Sequence, residues 1–517
     1  MNSLSTIQFL SLPLYKRIIY RIINFLLLIP KFILKLFTNK IPNIILSIYK
    51  KIKETLNNIY IFFVEGDVKT KISFLIMGFG LLFRKSILRG ILYLLFQLVF
   101  IIYMLTIGID SLNKIGSFGY IAQTSYYDEL VGLPITLYQD DSFMILLNTI
   151  IFSLFILIGI ILWYNQIKDS FKLQNLNRIG KTIKDKEIVK SLVGKNYHIT
   201  MLSLPTIGLF IFTIIPLIFM ILVGFTNYSS KFQQPKELFD WVGTYNFQKL
   251  FGLTGGSQSN EFAYVFGQIL IWTLIWAVFA TFTNYFLGMI IAILINKKGI
   301  RLKKLWRTIL ITTIAVPQFI SLLFMSKFLS TNDGALNQIL LNLGIIKESI
   351  KFLEDGLIAK ITVIVVNMWV GIPYTMLMCS GILMNIPSDL YESAKIDGAN
   401  PIKMYMKITL PYMFYITGPY LISTFVSNIN NFNVIYLLTG GNPQFTNIKG
   451  VLIQSELFNA GQTDLLITWL YKMCMTQVEK DYGVASVIGI FVFVIVATFS
   501  LIMYSKTNAV KNEGDFQ

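Results

Sequence analysis

Eight apolar runs divide this chain, each roughly 20 residues long and so long enough to cross a ~30 Å hydrocarbon core as a helix. Lipid supplies no hydrogen-bond partners, so such a run must close its backbone bonds within itself. The spans fall at about 87–108, 143–163, 200–225, 264–295, 308–328, 360–384, 411–436 and 484–505. With 55% of residues hydrophobic and 14% charged, and the charges collected between the runs, an ordinary water-soluble domain is excluded. The chain reads as an all-α integral membrane protein of about eight transmembrane helices.

The charges give a second, independent test. A net charge of +17 raises the question of nucleic acid. The basic residues alternate with the spans instead of collecting on one soluble module, and membrane orientation accounts for them better. If the N-terminus faces the cytoplasm, 33 of the 44 Lys and Arg fall on the cytoplasmic side. The sharpest case is 296–307, with Lys297, Lys298, Arg301, Lys303, Lys304 and Arg307 and no acid. Both termini and the loop at 387–411 are therefore expected in the cytoplasm, with the chain in the plasma membrane.

Residues 1–70 are basic, with Lys16, Arg17, Arg21, Lys31, Lys35, Lys40, Lys50, Lys51 and Lys53 between short apolar stretches. The uncharged run 22–30 there is too short to span. Amphipathic helices on the cytoplasmic face are expected, lysines toward anionic lipid. A signal peptide is the rival reading, but no small-residue cleavage site follows. Residues 72–83 suggest an interfacial or re-entrant hairpin, and 71–199 a membrane region with two spans.

Catalytic patterns are missing. Cys379 and Cys474 offer neither a disulfide framework nor metal-ligand spacing, and His198 is the single histidine. Gly180-Lys181-Thr182 has the tail of a phosphate-binding loop, but Asn175 stands where its leading glycine must be. No cofactor is expected in this chain, and any ATP would be hydrolysed by another. Glu354 and Asp355 lie in an outside loop, and the polar residues in the interior of the spans, away from their edges, are neutral: Gln97, Asn284, Gln318, Asn367, Asn428, Asn430, Asn431 and Asn433. That argues against proton coupling and for a neutral, hydroxyl-rich solute. If 411–436 is one helix, Asn428 and Asn431 share a face and Asn430 points elsewhere. Helix-to-helix bonding is the plainer role for these amides, at about 0.6–2 kcal/mol each.

The longest mixed polar stretch between two spans is Glu392 to Pro411, ESAKIDGANPIKMYMKITLP. Pro387 suits a first helical turn, Gly398 a helix stop, and Asn400-Pro401 an N-cap with proline at the first helical position. A helix, a sharp turn and a second helix ended by Pro411 are expected. An ordinary linker between membrane helices would satisfy the same signals.

Glu392-Ser393-Ala394, Gly398 and Ile408-Thr409-Leu410-Pro411 resemble the EAA signature of binding-protein-dependent ABC importer permeases, with Ser393 in place of the usual first alanine. The resemblance implies a six-helix permease core within 200–510 and a cytoplasmic coupling helix that docks on an ATPase. Glu392, Ser393, Ala394, Asp397 and Gly398 would make the coupling contacts. Ser427-Asn428-Ile429-Asn430-Asn431-Phe432-Asn433 and the following LLTGGNP are similar to the sugar-contacting stretch of maltose-type permeases, which implicates Ser427, Asn428 and Asn431. Trp369-Val370-Gly371-Ile372-Pro373-Tyr374 resembles that group's W-L-G-[FY]-P-Y segment and adds Gly371 and Tyr374; a kink is the plain role for Pro373.

Ala315-Val316-Pro317-Gln318-Phe319-Ile320-Ser321 resembles A-V-P-x-F-I-S. There the chain departs, with Ile314 where the sugar-contacting permease has tyrosine and Gln318 where it has serine. The short loop 227–262 and the phrase PKELFDWVGTYNF resemble the Gram-positive and mollicute branch. GQTDLLITWLYKM, 461–473, resembles the outside loop before the last helix. The likeness covers 71–506. It implies half of a pore for maltodextrin or a related oligosaccharide, another sugar or a glycerol-phosphate-type solute being the alternative. The implied partners are a homologous second permease, a cytoplasmic ATPase dimer that binds ATP and Mg, and a lipid-anchored extracellular sugar-binding protein. An ATPase-independent carrier is the main rival, and a glycan-modifying enzyme a more distant one.

Overall fold

The structure, a computed structural model, describes residues 38, 41–128, 133–180, 190, 193–234, 236–297, 299–445, 447–448, 451–452 and 459–505. The expected helices before residue 38, Lys181 and Thr182, and the C-terminus after 505 lie outside these. The chain divides into two compact units, 1–242 and 243–517.

The first unit contains α1 (Ile41–Val64), α2 (Val68–Ile72), α3 (Phe79–Leu82), α4 (Ile87–Lys114), α5 (Ser142–Arg178) and α6 (Tyr197–Val223). Helices α4, α5 and α6 are long and apolar enough to span and match the first three expected runs. Between α4 and α5 the hairpin β1 (Gln123–Asp128) and β2 (Leu133–Tyr138) pairs antiparallel, Gln123 opposite Tyr138. Phe118 packs at a tilt against Phe239 and Trp241, and the Trp241 indole donates to the Ile115 carbonyl.

Helix α5 runs well past its expected end at 163, for 37 residues. No glycine or proline interrupts it before Gly180 except Gly159, which lies inside the apolar run. The 72–83 stretch, which begins at the end of α2, packs on that polar extension as tight turns and α3. Buried Arg84 pairs with Asp67 and donates to Ser170, Thr70 and the Gly80 carbonyl. Burial pushes the Asp67 carboxyl up, but the Thr70 N–H and Arg84 outweigh it and hold it below the usual range.

The second unit contains α7 (Tyr245–Leu250), α8 (Ser257–Asn296), α9 (Lys303–Ala315), α10 (Gln318–Phe328), α11 (Ala335–Asn342), α12 (Gly356–Leu383), α13 (Ser388–Ile396), α14 (Pro401–Met404), α15 (Leu410–Ile429), α16 (Phe432–Leu438), α17 (Leu466–Tyr471) and α18 (Tyr482–Tyr504), with a two-residue-stranded hairpin, Asn447–Ile448 against Val451–Leu452. Helices α8, α12 and α18 are long and apolar enough to span.

Aspartates start three of the long helices across the two units. Asp141 accepts from the Phe143 and Met144 N–H groups, Asp355 from Leu357 and Ile358, and Asp481 from Val484. Each satisfies donors that the first turn cannot. Within the second unit α8 and α12 pack closely along small residues: a Cβ at Gly288 would come within 2.8 Å of Thr375. Such contacts replace the hydrophobic effect, which does not drive helices together in lipid.

Two expected spans are not single rods. The run at 308–328 breaks between α9 and α10, which meet at 90°. Val316 is extended, ψ 126°, because the proline ring disfavours the helical region for the residue before it, and Pro317 follows at ψ 129° as the cap of α10. The run at 411–436 stops at Ile429 and restarts as α16. In the other direction, Pro411 does not end a segment. A π-turn at Tyr405–Thr409, closed by the Leu410 N–H on the Tyr405 carbonyl, carries α14 straight into α15, and Pro411 follows directly on that widened turn, which accommodates a residue without an N–H.

Candidate functional site

The coupling loop folds as its sequence directs. Gly398 has φ +71°, and its N–H donates to the Lys395 carbonyl while the Ala399 N–H reaches the Ala394 carbonyl. This pair of bonds is a Schellman stop, and its left-handed residue is glycine. The Asn400 side chain then accepts from the Lys403 N–H at 2.8 Å, with Pro401 opening α14. The Tyr391 and Thr409 hydroxyls bond at 2.8 Å and tie α13 to the π-turn.

On this hairpin Glu392, Ser393, Asp397 and Gly398 are exposed, and Ala394 is half-buried. Glu392 has no ion pair among the described residues. Ile396 and Ile402 are 87% and 74% exposed, a bare apolar pair on a charged loop. Pro387 stands one place earlier than expected, as the cap before Ser388.

A cavity of about 190 Å³ opens at the α9–α10 break. Gln318 and Tyr374 line it together with Ile314, Trp369, Thr313 and Ser321. The elbow at Pro317 turns α9 and α10 apart there, and Tyr374 and Trp369 come from α12. Both positions at which the chain departs from the maltose-type pattern, Ile314 and Gln318, are wall residues. The Tyr374 ring lies 6.5 Å from that of Tyr420 on α15. Ser427, exposed and two turns beyond Tyr420, continues that face.

The other candidate residues are used differently. Asn428 is buried and donates to Thr281 on α8 at 2.9 Å, while its carbonyl accepts from the Trp276 indole. Asn431 caps α16 by accepting from the Val434 N–H and donates to the Asn428 side chain at 3.4 Å. The two asparagines do meet, but at a capped helix junction and not on one continuous helix. Gly371 lies against Asn284, whose amide a Cβ there would strike. Two amide atoms in this region, Asn284 Oδ1 and Asn367 Nδ2, are buried with no hydrogen-bond partner. Leaving such atoms unpaired costs about 1–3 kcal/mol each, and neither residue lines the cavity.

Sequence reasoning passed over Trp369, Thr313 and Ser321 as site residues. Trp369 was visible within its own motif. Placing Thr313 and Ser321 on a wall needed the bend.

A buried ion pair lies in the stretch before α18. Asp464, fully buried, accepts from Lys472 at 2.7 Å, from the Gly461 N–H at 2.7 Å and from the Thr468 hydroxyl at 2.9 Å. Burial pushes its carboxyl up, against the pull of those donors. Gly441 leaves no room for a Cβ beside the pair. Among the described residues, no group of three or more His, Cys, Asp or Glu is placed to hold a metal ion.

A galactooligosaccharide transport permease of Bacillus subtilis is 30% identical over 442 residues, 85% of this chain and 97% of that one. The chain belongs to the binding-protein-dependent transport system inner membrane components. That family's profile matches residues 284–507, which hold the cavity and the coupling loop. A maltodextrin transport permease of Streptococcus pneumoniae is 29% identical over 84% of this permease and 94% of its own length. A maltose/maltodextrin permease of Vibrio parahaemolyticus is 34% identical over 52% of this chain and 49% of its own. Among solved structures, a chain of a bacterial alginate ABC transporter covers 63% of this permease and 99% of its own length at 21% identity and a TM-score of 0.45, too low to bear on fold or site. The permease is thus a membrane-embedded transport subunit of an importer that works with a binding protein.

Proposed function

We propose that this permease forms one half of the translocation path of an ATP-driven importer for maltodextrin or a related neutral oligosaccharide. The observation that carries the reading is the cavity at the Pro317 elbow, lined by two aromatic rings and by neutral amide and hydroxyl groups. Rings suit the C–H faces of a sugar and amides its hydroxyls. Gln318, Tyr374 and Ser427 contact the sugar in this scheme. Gly371 lets α8 close in, and Asn428 with Asn431 holds the α15–α16 junction that frames the path. At about 190 Å³ the cavity falls short of the roughly 300–1,000 Å³ typical of ligand pockets. A homologous second permease would supply the facing wall.

The exposed Ile396 and Ile402 give the coupling hairpin an apolar surface for a cytoplasmic ATPase, with Glu392 pairing a basic residue there. ATP and Mg bind that partner, and closure of its dimer moves the hairpin. The π-turn passes the motion into α15 without a break, and α15 carries Tyr420 and Ser427. A lipid-anchored extracellular binding protein delivers the sugar to the outside face, and both termini of the permease stay in the cytoplasm.

Gln318→Ala is expected to raise the sugar concentration for half-maximal uptake by roughly 3- to 10-fold, the loss of one or two hydrogen bonds, with maximal rate little changed. Uptake assays across maltose, maltotriose and a galactooligosaccharide check it; unchanged half-saturation for all three would remove Gln318 from the site. Asn431→Ala should destabilise the chain by about 0.5–2 kcal/mol through the lost cap, and Asn431→Ser, which can cap, should restore both stability and uptake. Thermal unfolding in detergent alongside uptake separates the roles. Restored stability with uptake still lost would make Asn431 a sugar contact.

A further inference from the structure

Helix α1 carries an apolar face that is largely exposed among the described residues, Phe63 at its end packing on Phe74. At about 100° per residue, Ile45, Ile48, Ile52, Leu56, Ile59 and Phe63 fall on one side. Ile45, Ile48, Ile52 and Leu56 are 60%, 52%, 53% and 61% exposed. Lys51 and Lys53 stand about 100° to either side of the centre of that face, Lys50 lies behind it, and Glu54 is the one acid of the helix. Lysines so placed can keep their stems on an apolar surface and their ammonium groups at a charged boundary.

The helix is pinned at one end, and the pin fixes its level. Phe62 packs on Tyr164 and Phe171 of α5, with ring centroids 6.4 and 4.9 Å away. Gln174 of α5 accepts from the Asp67 N–H and donates to the Glu65 carbonyl, just past the end of α1. Tyr164 is the first residue after the apolar 143–163 run of α5 and stands four before its first charge, Lys168. The pinned end of α1 therefore lies where that span leaves the hydrocarbon, and Ile45, Ile48, Ile52 and Leu56 toward its other end are exposed.

We propose that α1 lies along the surface of an anionic lipid bilayer, seating Ile45, Ile48, Ile52 and Leu56 among the acyl chains with Lys51 and Lys53 reaching the headgroup phosphates. The level of the pin places α1 at a lipid boundary, and the paired cations flanking a purely apolar face match anionic headgroups there better than a protein groove. This inference is independent of the transported solute.

The test uses the full chain, reconstituted alone, one copy per nanodisc, in phosphatidylcholine with or without phosphatidylglycerol. A nitroxide is placed at Ile48→Cys, or at Ser47→Cys on the opposite side, in a Cys474→Ser background; Cys379 is buried. In phosphatidylglycerol discs the Ile48 label is expected to be about tenfold less accessible than the Ser47 label to a water-soluble nickel relaxant. Lys51→Gln with Lys53→Gln should reduce that contrast severalfold, toward its value in pure phosphatidylcholine. Equal access at the two positions overturns the proposal. So does shielding of Ile48 that arises only when a second permease subunit is added, and so does a contrast that neither phosphatidylglycerol nor the lysines change.

Discussion

Gly398→Val abolishes ATP-driven uptake while leaving the chain folded in the membrane. A Cβ at Gly398 would meet nothing within 4 Å, so crowding is not the cause. The cause is the backbone: φ is +71°, where an ordinary L-residue costs about 1–2 kcal/mol and a β-branched one more. Valine unwinds the stop, and the two bonds from the Gly398 and Ala399 N–H groups go with it. The exposed pair Ile396 and Ile402, one on each arm, then loses its spacing. ATPase co-purification and uptake should both fall by more than about tenfold, given this penalty and the lost bonds. Gly398→Asn, a residue that tolerates this conformation, should retain most of both. If valine leaves co-purification and uptake intact, the hairpin is not the coupling element.

Asp464→Asn should give the largest loss of stability of any single isosteric change in the second unit. The amide keeps the shape but leaves the Lys472 ammonium buried without its counter-charge, which typically costs about 3–5 kcal/mol. Lys472→Met strands the carboxylate and should cost a similar amount, whereas the double variant leaves no buried charge and should recover much of the loss. Thermal unfolding of the four forms in detergent provides the cycle, and additive single effects would show that the two groups do not act as a pair.

What was legible in the sequence depended on how local its cause is. The coupling hairpin could be read because its determinants, Gly398 and Asn400-Pro401, act within one turn of themselves. The aspartate caps are equally local. Pro317 also acts locally, but the apolar run around it hid its elbow, although the rule for a residue before proline applied to Val316. Pro411 misled for the opposite reason: its helix-breaking tendency was real, and the π-turn before it absorbed the defect.

The asparagine cluster could not be resolved by counting along one helix, since Asn431 leaves that helix to cap the next. Which amide is spent on packing was decided by Thr281, about 150 residues away in sequence from Asn428. The burial of Asp464 is likewise a tertiary fact, created by Gly441 and Lys472 closing on a stretch that composition alone places outside. The cavity needed the elbow at Pro317 set against α12, and of the candidate contact residues named from the sequence Gln318 and Tyr374 line it.

The central claim is that this permease moves a neutral sugar with energy from a partner ATPase. It is tested most directly by reconstituting the permease with its second subunit, the ATPase and the binding protein in sealed vesicles and measuring accumulation of labelled maltodextrin. The account predicts sugar accumulation that requires ATP on the cytoplasmic side, sugar-stimulated ATP hydrolysis, and no effect of an ionophore. Accumulation without ATP that collapses with the ionophore would contradict it.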